Sequence, residues 1–267
     1  MQVSPDQLHA VAVRAGAAIL AVYHRPGAVA VEYKSDASPL TEADRAAHVT
    51  IVDSLARLTP DIPVVSEEDG FEGDLAAIVA GDYWLVDPLD GTKEFLKRTG
   101  EFTVNIALVR DGVPVAAVVH APALGASWVT SDAGAERWDH LGRSPIHVCS
   151  PARLDDLRIV ASRDHAGPHV AALLAQLPGA RTVSLGSSLK FCMVAEGRAD
   201  LYFRDGPTMP WDIAAAHGVL RAAGGEVFEL DGTPLCYLVP RQLNPHFVAL
   251  GDRAFRWVPL FSAAGIA

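Results

Sequence analysis

An apolar stretch over residues 8–23 follows Ser4-Pro5-Asp6-Gln7 directly. Ser4 can cap, Pro5 suits the first helical position and Gln7 completes a capping box, so the pattern predicts an N-terminal helix. Thr41-Glu42-Ala43-Asp44 opens a second helix by the same chemistry, reaching to about residue 58. Two short apolar runs, 63–66 and 83–86, end at acidic residues and read as buried strands that deliver carboxylates at their ends. Runs 102–109 and 113–120 flank Arg110-Asp111-Gly112, and Asp-Gly between two β-rich segments predicts a hairpin. A Pro-, Gly- and Ser-rich stretch over 141–151 marks the boundary between two lobes. Beyond it the pattern predicts a strand at 157–161, helices at 170–176 and 187–196, and a strand at 201–203. A helix over 211–223 is stopped by Gly224-Gly225, and strands at 226–230 and 247–250 close the chain. This alternation implies α/β layering in the second half. There is no internal repeat and no low-complexity tract.

Composition narrows the class. At 267 residues, one large domain or two small lobes are both open, and 50% hydrophobic against 20% charged residues supports a sizeable core. With 22 Lys plus Arg against 32 Asp plus Glu, the net charge of −10 argues against a nucleic-acid polymer as partner. An anionic small molecule stays admissible, because divalent cations invert the local field. Cys149, Cys192 and Cys236 lie far apart, are odd in number and form no CxxC, which predicts a reducing compartment. The N-terminal residues lack the basic segment and apolar run of a signal peptide, and no window approaches 18 uncharged apolar residues, so no membrane span is expected.

Five acidic positions carry the candidate chemistry: Asp44, Glu67, Asp87, Asp90 and Asp212. In Trp84-Leu85-Val86-Asp87-Pro88-Leu89-Asp90-Gly91-Thr92, Asp87 follows a strand and Asp90 comes three residues later across a Pro-containing turn. That spacing can aim both carboxylates and the Leu89 carbonyl at one point, and such oxygens suit Mg²⁺. Gly91 and Thr92 then present backbone N–H groups at a helix start, a seat for phosphate. Each position also has a plainer reading. Asp-Gly-Thr is a common turn, Asp44 sits in a capping box, Glu67-Glu68-Asp69 is a charge run, and Asp212 complements a helix dipole.

Taken together, these motifs resemble the inositol monophosphatase superfamily of lithium-sensitive, Mg²⁺-dependent phosphatases. The shared segments are Ser66-Glu67-Glu68, Asp87-Pro88-Leu89-Asp90-Gly91-Thr92 and Trp211-Asp212-Ile213-Ala214-Ala215, in order across nearly the whole chain. Within the superfamily the chain is similar to the bacterial 3′(2′),5′-bisphosphate nucleotidases. The segments that carry this are 34–41, Lys93-Glu94-Phe95, 100–107 and Gly186-Ser187-Ser188-Leu189-Lys190-Phe191.

The resemblance implies an α/β (α+β) layered sandwich of the inositol monophosphatase and fructose-1,6-bisphosphatase type. An N-terminal α+β lobe over 1–145 would carry most metal ligands. A C-terminal α/β lobe over 146–267 would carry Asp212 and substrate contacts, with the site between the two. Glu67, Asp87 and the Leu89 carbonyl would hold one Mg²⁺, and Asp87, Asp90 and Asp212 a second. Glu68 would support a third through water, giving two to three ions per site. Asp44 and Thr92 would orient or deprotonate the attacking water. Glu67, Leu89, Asp90, Gly91, Thr92 and Asp212 would also face the substrate, the scissile phosphate resting on Gly91 and Thr92. Ser187, Ser188 and Lys190 are candidates for the remaining phosphate or ribose, although those residues alone read as a helix start with an exposed lysine.

The implied reaction is hydrolysis of adenosine 3′,5′-bisphosphate to AMP and phosphate. Its sulfated analogue is a second substrate candidate, and the setting is sulfur assimilation. Inhibition by Li⁺ and by excess Ca²⁺ is implied too, as is a cytoplasmic protein, monomer or homodimer, with peripheral contact to the inner membrane left open. Three other readings weigh less. The paired aspartates of aspartyl-phosphate phosphatases are separated by one residue, whereas Pro88 and Leu89 both intervene here. There is no GxxxxGK[ST] loop. His165 and His169 have the spacing of a helical metal pair, but Gly167 and Pro168 between them oppose a helix. An inositol or sugar phosphatase is the enzymatic rival. A catalytically silent member of the fold would need a lost ligand, and none of the ligand positions departs from the pattern.

Overall fold

A computed structural model describes residues 3–27, 29–33, 39–69, 81–151, 156–162, 168–238 and 243–266. Helix α1 (Pro5–Tyr23) starts on the expected capping box: Gln7 N–H donates to Ser4 Oγ at 3.2 Å and Ser4 N–H to Gln7 Oε1 at 2.9 Å. Strands β1 (Val31–Tyr33) and β2 (Pro39–Thr41) pair antiparallel and lead straight into α2 (Glu42–Leu58). Next come β3 (Val64–Ser66), β4 (Tyr83–Asp90), the short α3 (Thr92–Leu96), β5 (Thr103–Arg110) and β6 (Val113–Ala121). Strands β7 (Ala126–Ser131), β8 (Gly134–Asp139) and β9 (Gly142–Ile146) complete a seven-stranded sheet in chain order, antiparallel except for β3 beside β4.

The second half contributes β10 (Arg158–Ser162), α4 (Pro168–Ala175), β11 (Arg181–Leu185), α5 (Leu189–Ala195) and β12 (Leu201–Arg204). It continues with α6 (Pro210–Ala222), β13 (Glu226–Glu229), β14 (Phe247–Leu250) and α7 (Val258–Ala263). Its five strands run in the order β11-β10-β12-β14-β13, parallel across the first three and antiparallel at the far edge.

Strand periodicity explains the layering. Along β4, Trp84 and Val86 join one core with Leu8, Val11 and Ile19 of α1 and Ile51 and Leu55 of α2. Leu85 faces the opposite way, into a core shared with Phe191 of α5, with Ile213, Ala216 and Leu220 of α6, and with Val160, Tyr202 and Phe247 of the smaller sheet. That sheet's outer face packs Ile159, Leu201 and Val248 against Val170 and Leu173 of α4 and Phe261 of α7. The result is five alternating layers, helix–sheet–helix–sheet–helix, the α/β sandwich expected from the sequence. Among the described residues no helix is long and apolar enough to cross a membrane.

The hairpin closes on Asp111 (φ 49°) and Gly112 (φ 74°), with Arg110 opposite Val113, the left-handed pair a two-residue turn demands. Four expectations are corrected. Strand β4 does not stop at residue 86 but continues through Asp90, with a register shift between Asp87 and Asp90. Pro88, which has no N–H for the ladder, sits inside that shift. Helix α5 begins two residues late, because Ser187 adopts φ 44° and cannot be helical. The stretch read as a boundary contains β9, which tolerates Pro145 because it is an edge strand. Strands β7 and β8 and helix α7 were not anticipated at all. Residues 34–38 of the segment 34–41, and both His165 and Gly167, lie outside the described residues.

Candidate active site

Three chain segments meet where β4 ends. Glu67 N–H donates to the Val86 carbonyl at 3.0 Å, which extends the β3–β4 pairing and fixes Glu67 beside Asp87. Asp87 is 1% exposed and accepts Leu89 N–H at 3.0 Å, so its own turn holds it. Asp90 Oδ2 accepts Ser188 N–H at 2.7 Å and Ser188 Oγ–H at 3.1 Å, which ties β4 to the start of α5. Asp212, in the first turn of α6, accepts Met209 N–H at 2.8 Å. The helix-cap reading and the ligand reading of Asp212 therefore hold together, since one oxygen caps and the other stays available.

Asp44 shows the same division of labour. Its Oδ2 accepts Thr41 N–H at 2.8 Å and Thr41 Oγ–H at 2.6 Å, the capping box of α2. Its Oδ1 faces Thr92 Oγ at 3.3 Å, and the same hydroxyl reaches the Leu89 carbonyl at 3.3 Å. Gly91 caps α3 with φ 90°, and a Cβ there would stand 3.1 Å from the Glu101 carbonyl and 3.2 Å from Ser187 Cβ. Only glycine fits this junction without strain.

Burial drives the electrostatics, and the neighbouring carboxylates add to it. The Asp87 carboxyl is pushed well above the usual range, first by burial and then by Glu67, Asp90 and Asp212. Asp212 is raised the same way, by burial and then by Asp90 and Glu67. Asp90 is raised by burial, with Lys190 and the Ser188 hydrogen bonds pulling in the other direction. Asp44 is raised by burial against the restraint of Thr41, and Glu68 adds to the rise, which puts Glu68 beside the Asp44–Thr92 pair. Among the described residues no three Asp, Glu, His or Cys side chains stand in metal-holding geometry. Asp87 and Asp212 are turned to donors on their own loops, and Asp90 to Ser188 at the start of α5. The donor chemistry nonetheless suits a hard divalent cation: all oxygen and anionic, with Asp87 itself buried.

The supporting residues went unassigned in the sequence. Asn105 faces Asp87 across the β4–β5 ladder and Thr103 faces Asp90. Asn105 Nδ2–H donates to Ser188 Oγ at 2.9 Å and to the Asp212 carbonyl at 3.4 Å. Ser188 Oγ–H reaches that same carbonyl at 2.7 Å. Thr103 Oγ–H donates to Asn105 Oδ1 at 3.1 Å, fixing the orientation of the amide. A buried Asn and Thr inside an otherwise apolar strand were the available signal.

Beyond Asp90 and Asp212 the cleft opens into a cavity of about 140 Å³ lined by Glu94, Gly186, Ser187, Lys190, Tyr202 and Arg204. Lys190 is only 7% exposed, contrary to the exposed-lysine reading, and its ammonium donates to the Ser187 carbonyl. A larger hollow of about 400 Å³ adjoins it, bordered by Glu67, Thr92, Trp211 and Leu243.

A profile of the inositol monophosphatase family matches residues 4–253. The 3′(2′),5′-bisphosphate nucleotidase CysQ of Escherichia coli (strain K12) is 48% identical over 249 residues, 91% of this chain and 97% of its own. The protein of that name from Haemophilus influenzae is 35% identical over 261 residues, 96% of either chain. Among solved structures, CysQ from Bacteroides thetaiotaomicron superposes with a TM-score of 0.77 at 39% identity, covering 93% of this chain and 97% of that one. An inositol monophosphatase from Anabaena superposes almost as well, TM-score 0.76, at 26% identity over 97% of this chain and 94% of that one.

Proposed function

The chain belongs to the inositol monophosphatase family, and on that premise we propose that it removes the 3′-phosphate of adenosine 3′,5′-bisphosphate as a metal-dependent phosphatase. The observation that carries the reading is the meeting of Glu67, Asp87, Asp90 and Asp212, from three distant segments, in one mutually repelling set around the buried Asp87. Higher identity to the nucleotidases than to the inositol monophosphatase at equal fold similarity favours the nucleotide over inositol phosphate.

Two to three Mg²⁺ ions suit the donors. Glu67, Asp87 and the Leu89 carbonyl would hold one, Asp87, Asp90 and Asp212 another, and Glu68 a third through water. Bound there, magnesium supplies positive charge to the phosphoryl oxygens and acidifies a water. The protein's own part is to orient and to move a proton. Thr92 Oγ takes the proton of the attacking water as it passes its own to Asp44 Oδ1, a carboxyl whose hold on a proton burial strengthens. Water attacks phosphorus, and the bond to the ribose 3′ oxygen breaks, that oxygen taking a proton from a second water to leave as the 3′-hydroxyl. Backbone N–H groups at Gly91 and Thr92, where α3 begins, seat the phosphoryl oxygens. Ser187 and Lys190 line the cavity on the substrate side, and Ser188 acts by holding Asp90 and the Asp212 carbonyl.

The lobes would divide at 1–145 and 146–267, a reading supported by the change of sheet between Ile146 and Arg158. Phosphate release from adenosine 3′,5′-bisphosphate and from inositol 1-phosphate, with and without Mg²⁺, tests the reading. Preferential, Mg²⁺-dependent release from the nucleotide supports it, and preferential release from inositol 1-phosphate sinks it.

A further inference from the structure

Helix α2 carries two polar side chains on one face, four residues apart. Asp44 meets Thr92, and His48 lies one turn further along. The His48 ring meets the turn 66–69, which follows β3 and carries Glu67 and Glu68. Asp69 N–H closes that turn by donating to the Ser66 carbonyl at 3.2 Å. His48 Nδ1 stands 2.9 Å from Ser66 Oγ, and His48 Nε2 stands 3.5 Å from Asp69 Oδ1. One imidazole thus faces the first and the last residue of the turn, with the two glutamates between them. A carboxylate oxygen only accepts, so in neutral His48 the proton sits on Nε2, and Nδ1 accepts from the Ser66 hydroxyl. Asp69, which the sequence alone presents as the end of a charge run, sets the tautomer that holds Ser66.

Ser66, His48 and Asp69 have the composition of a nucleophilic triad, but Ser66 is fully buried, so its hydroxyl cannot meet a substrate. What the three can do is fix a turn. Glu67 is tied on its β4 side through the Val86 carbonyl, and its charge bears on Asp87. Glu68 lies past that tie, and its charge bears on Asp44. We propose that His48 is a positioning residue that staples this turn to α2 and so holds Glu67 and Glu68 where a divalent cation needs them. This rests on the metal-dependent reading above and deepens it. A carboxylate fixed before the cation arrives loses less conformational freedom on binding it, so the staple acts on cation affinity. Because α2 also carries Asp44, one helix sets the spacing between the water-activating pair and the acidic turn.

The test is calorimetric titration of the substrate-free protein with Mg²⁺ alone, for the wild type, His48→Ala, His48→Gln and Ser66→Ala, beside the Mg²⁺ dependence of phosphate release. His48→Ala is expected to raise the Mg²⁺ dissociation constant and the half-saturating Mg²⁺ about tenfold to a hundredfold, while saturating Mg²⁺ restores most of kcat. His48→Gln keeps a donor and an acceptor on one amide and is expected to fall in between. Ser66→Ala removes the other end of the bond and should shift both readouts in the same direction, and it judges the staple alone should His48→Ala not fold. A dissociation constant left unchanged in His48→Ala or in Ser66→Ala, whatever happens to the melting temperature, overturns the staple and leaves the phosphatase reading standing. A wild type that takes up no Mg²⁺ and releases phosphate equally well under a chelator overturns the metal reading, and the staple with it.

Discussion

Asp90 and Asp212 each have a structural bond that leaves room for the proposed metal-holding role. Each spends an oxygen on a backbone N–H, of Ser188 at 2.7 Å and of Met209 at 2.8 Å. An asparagine amide keeps that acceptor and loses the negative charge. Asp90→Asn and Asp212→Asn should therefore lose at least about a hundredfold in kcat, more than a supporting residue costs. In metal-free buffer their melting temperatures should equal or exceed that of the wild type, because a repelling charge is gone. Steady-state kinetics beside thermal melts checks both halves. Asn105 reaches the carboxylates through their partners, donating to Ser188 Oγ and to the Asp212 carbonyl. Asn105→Ala should cost about tenfold to a hundredfold in kcat/KM, with an increased Mg²⁺ requirement read from an activity titration. The acidic residues were legible because their types and spacings are chemically narrow. Asn105 and His48 were not, since a lone Asn in a strand or a His in a helix gains meaning only from what lies across the fold.

At the scale of elements, capping and turn chemistry read out most faithfully, because both are local. The boxes of α1 and α2 and the Asp111-Gly112 turn needed only a few neighbouring residues. Elements set by distant contacts were missed: β7 and β8 exist through their sheet partners, and the late start of α5 follows from Ser187 being pinned beside Gly91. Packing also buries a titratable joint between α1 and the large sheet. His120 of β6 donates or accepts at Ser127 Oγ, 2.8 Å away, while its ring leaves no room for a Cβ on Gly16 of α1, which would stand 2.6 Å off. Burial lowers the His120 pKa from 6.5 to about 4. The unfolded chain thus takes up a proton near 6.5 that the folded chain refuses, so this group's stabilisation is full above that pH and is lost as pH falls toward 4. By pH 5 the loss is about 2 kcal/mol. His120→Gln should weaken the fall in melting temperature between pH 7 and pH 5 relative to the wild type, and an equal fall in both proteins would remove His120 as its source.

For the molecule as a whole, the layers explain why the site is assembled from both ends of the chain. Glu67, Asp87 and Asp90 project from the large sheet, and Asp212 arrives on α6, which packs between the two sheets. The layered architecture was legible from the alternation of strands and helices together with the family motifs. The boundary was blurred because β9 carries a loop-like composition at a sheet edge, and the core itself runs continuously across it. A cation held by Asp212 and Asp87 together would tie these layers, so on the proposed reading Mg²⁺ should raise the melting temperature. At a hundred times the dissociation constant the gain is about 2.7 kcal/mol per site. Thermal-shift titrations should show that gain in the wild type and lose most of it in Asp212→Asn. The most direct measurement of the central claim is phosphate release from adenosine 3′,5′-bisphosphate by the wild type and Asp90→Asn, each with Mg²⁺ and with a chelator. The account predicts rapid release only by the wild type with Mg²⁺. Equal release by Asp90→Asn, or undiminished release under the chelator, would contradict it.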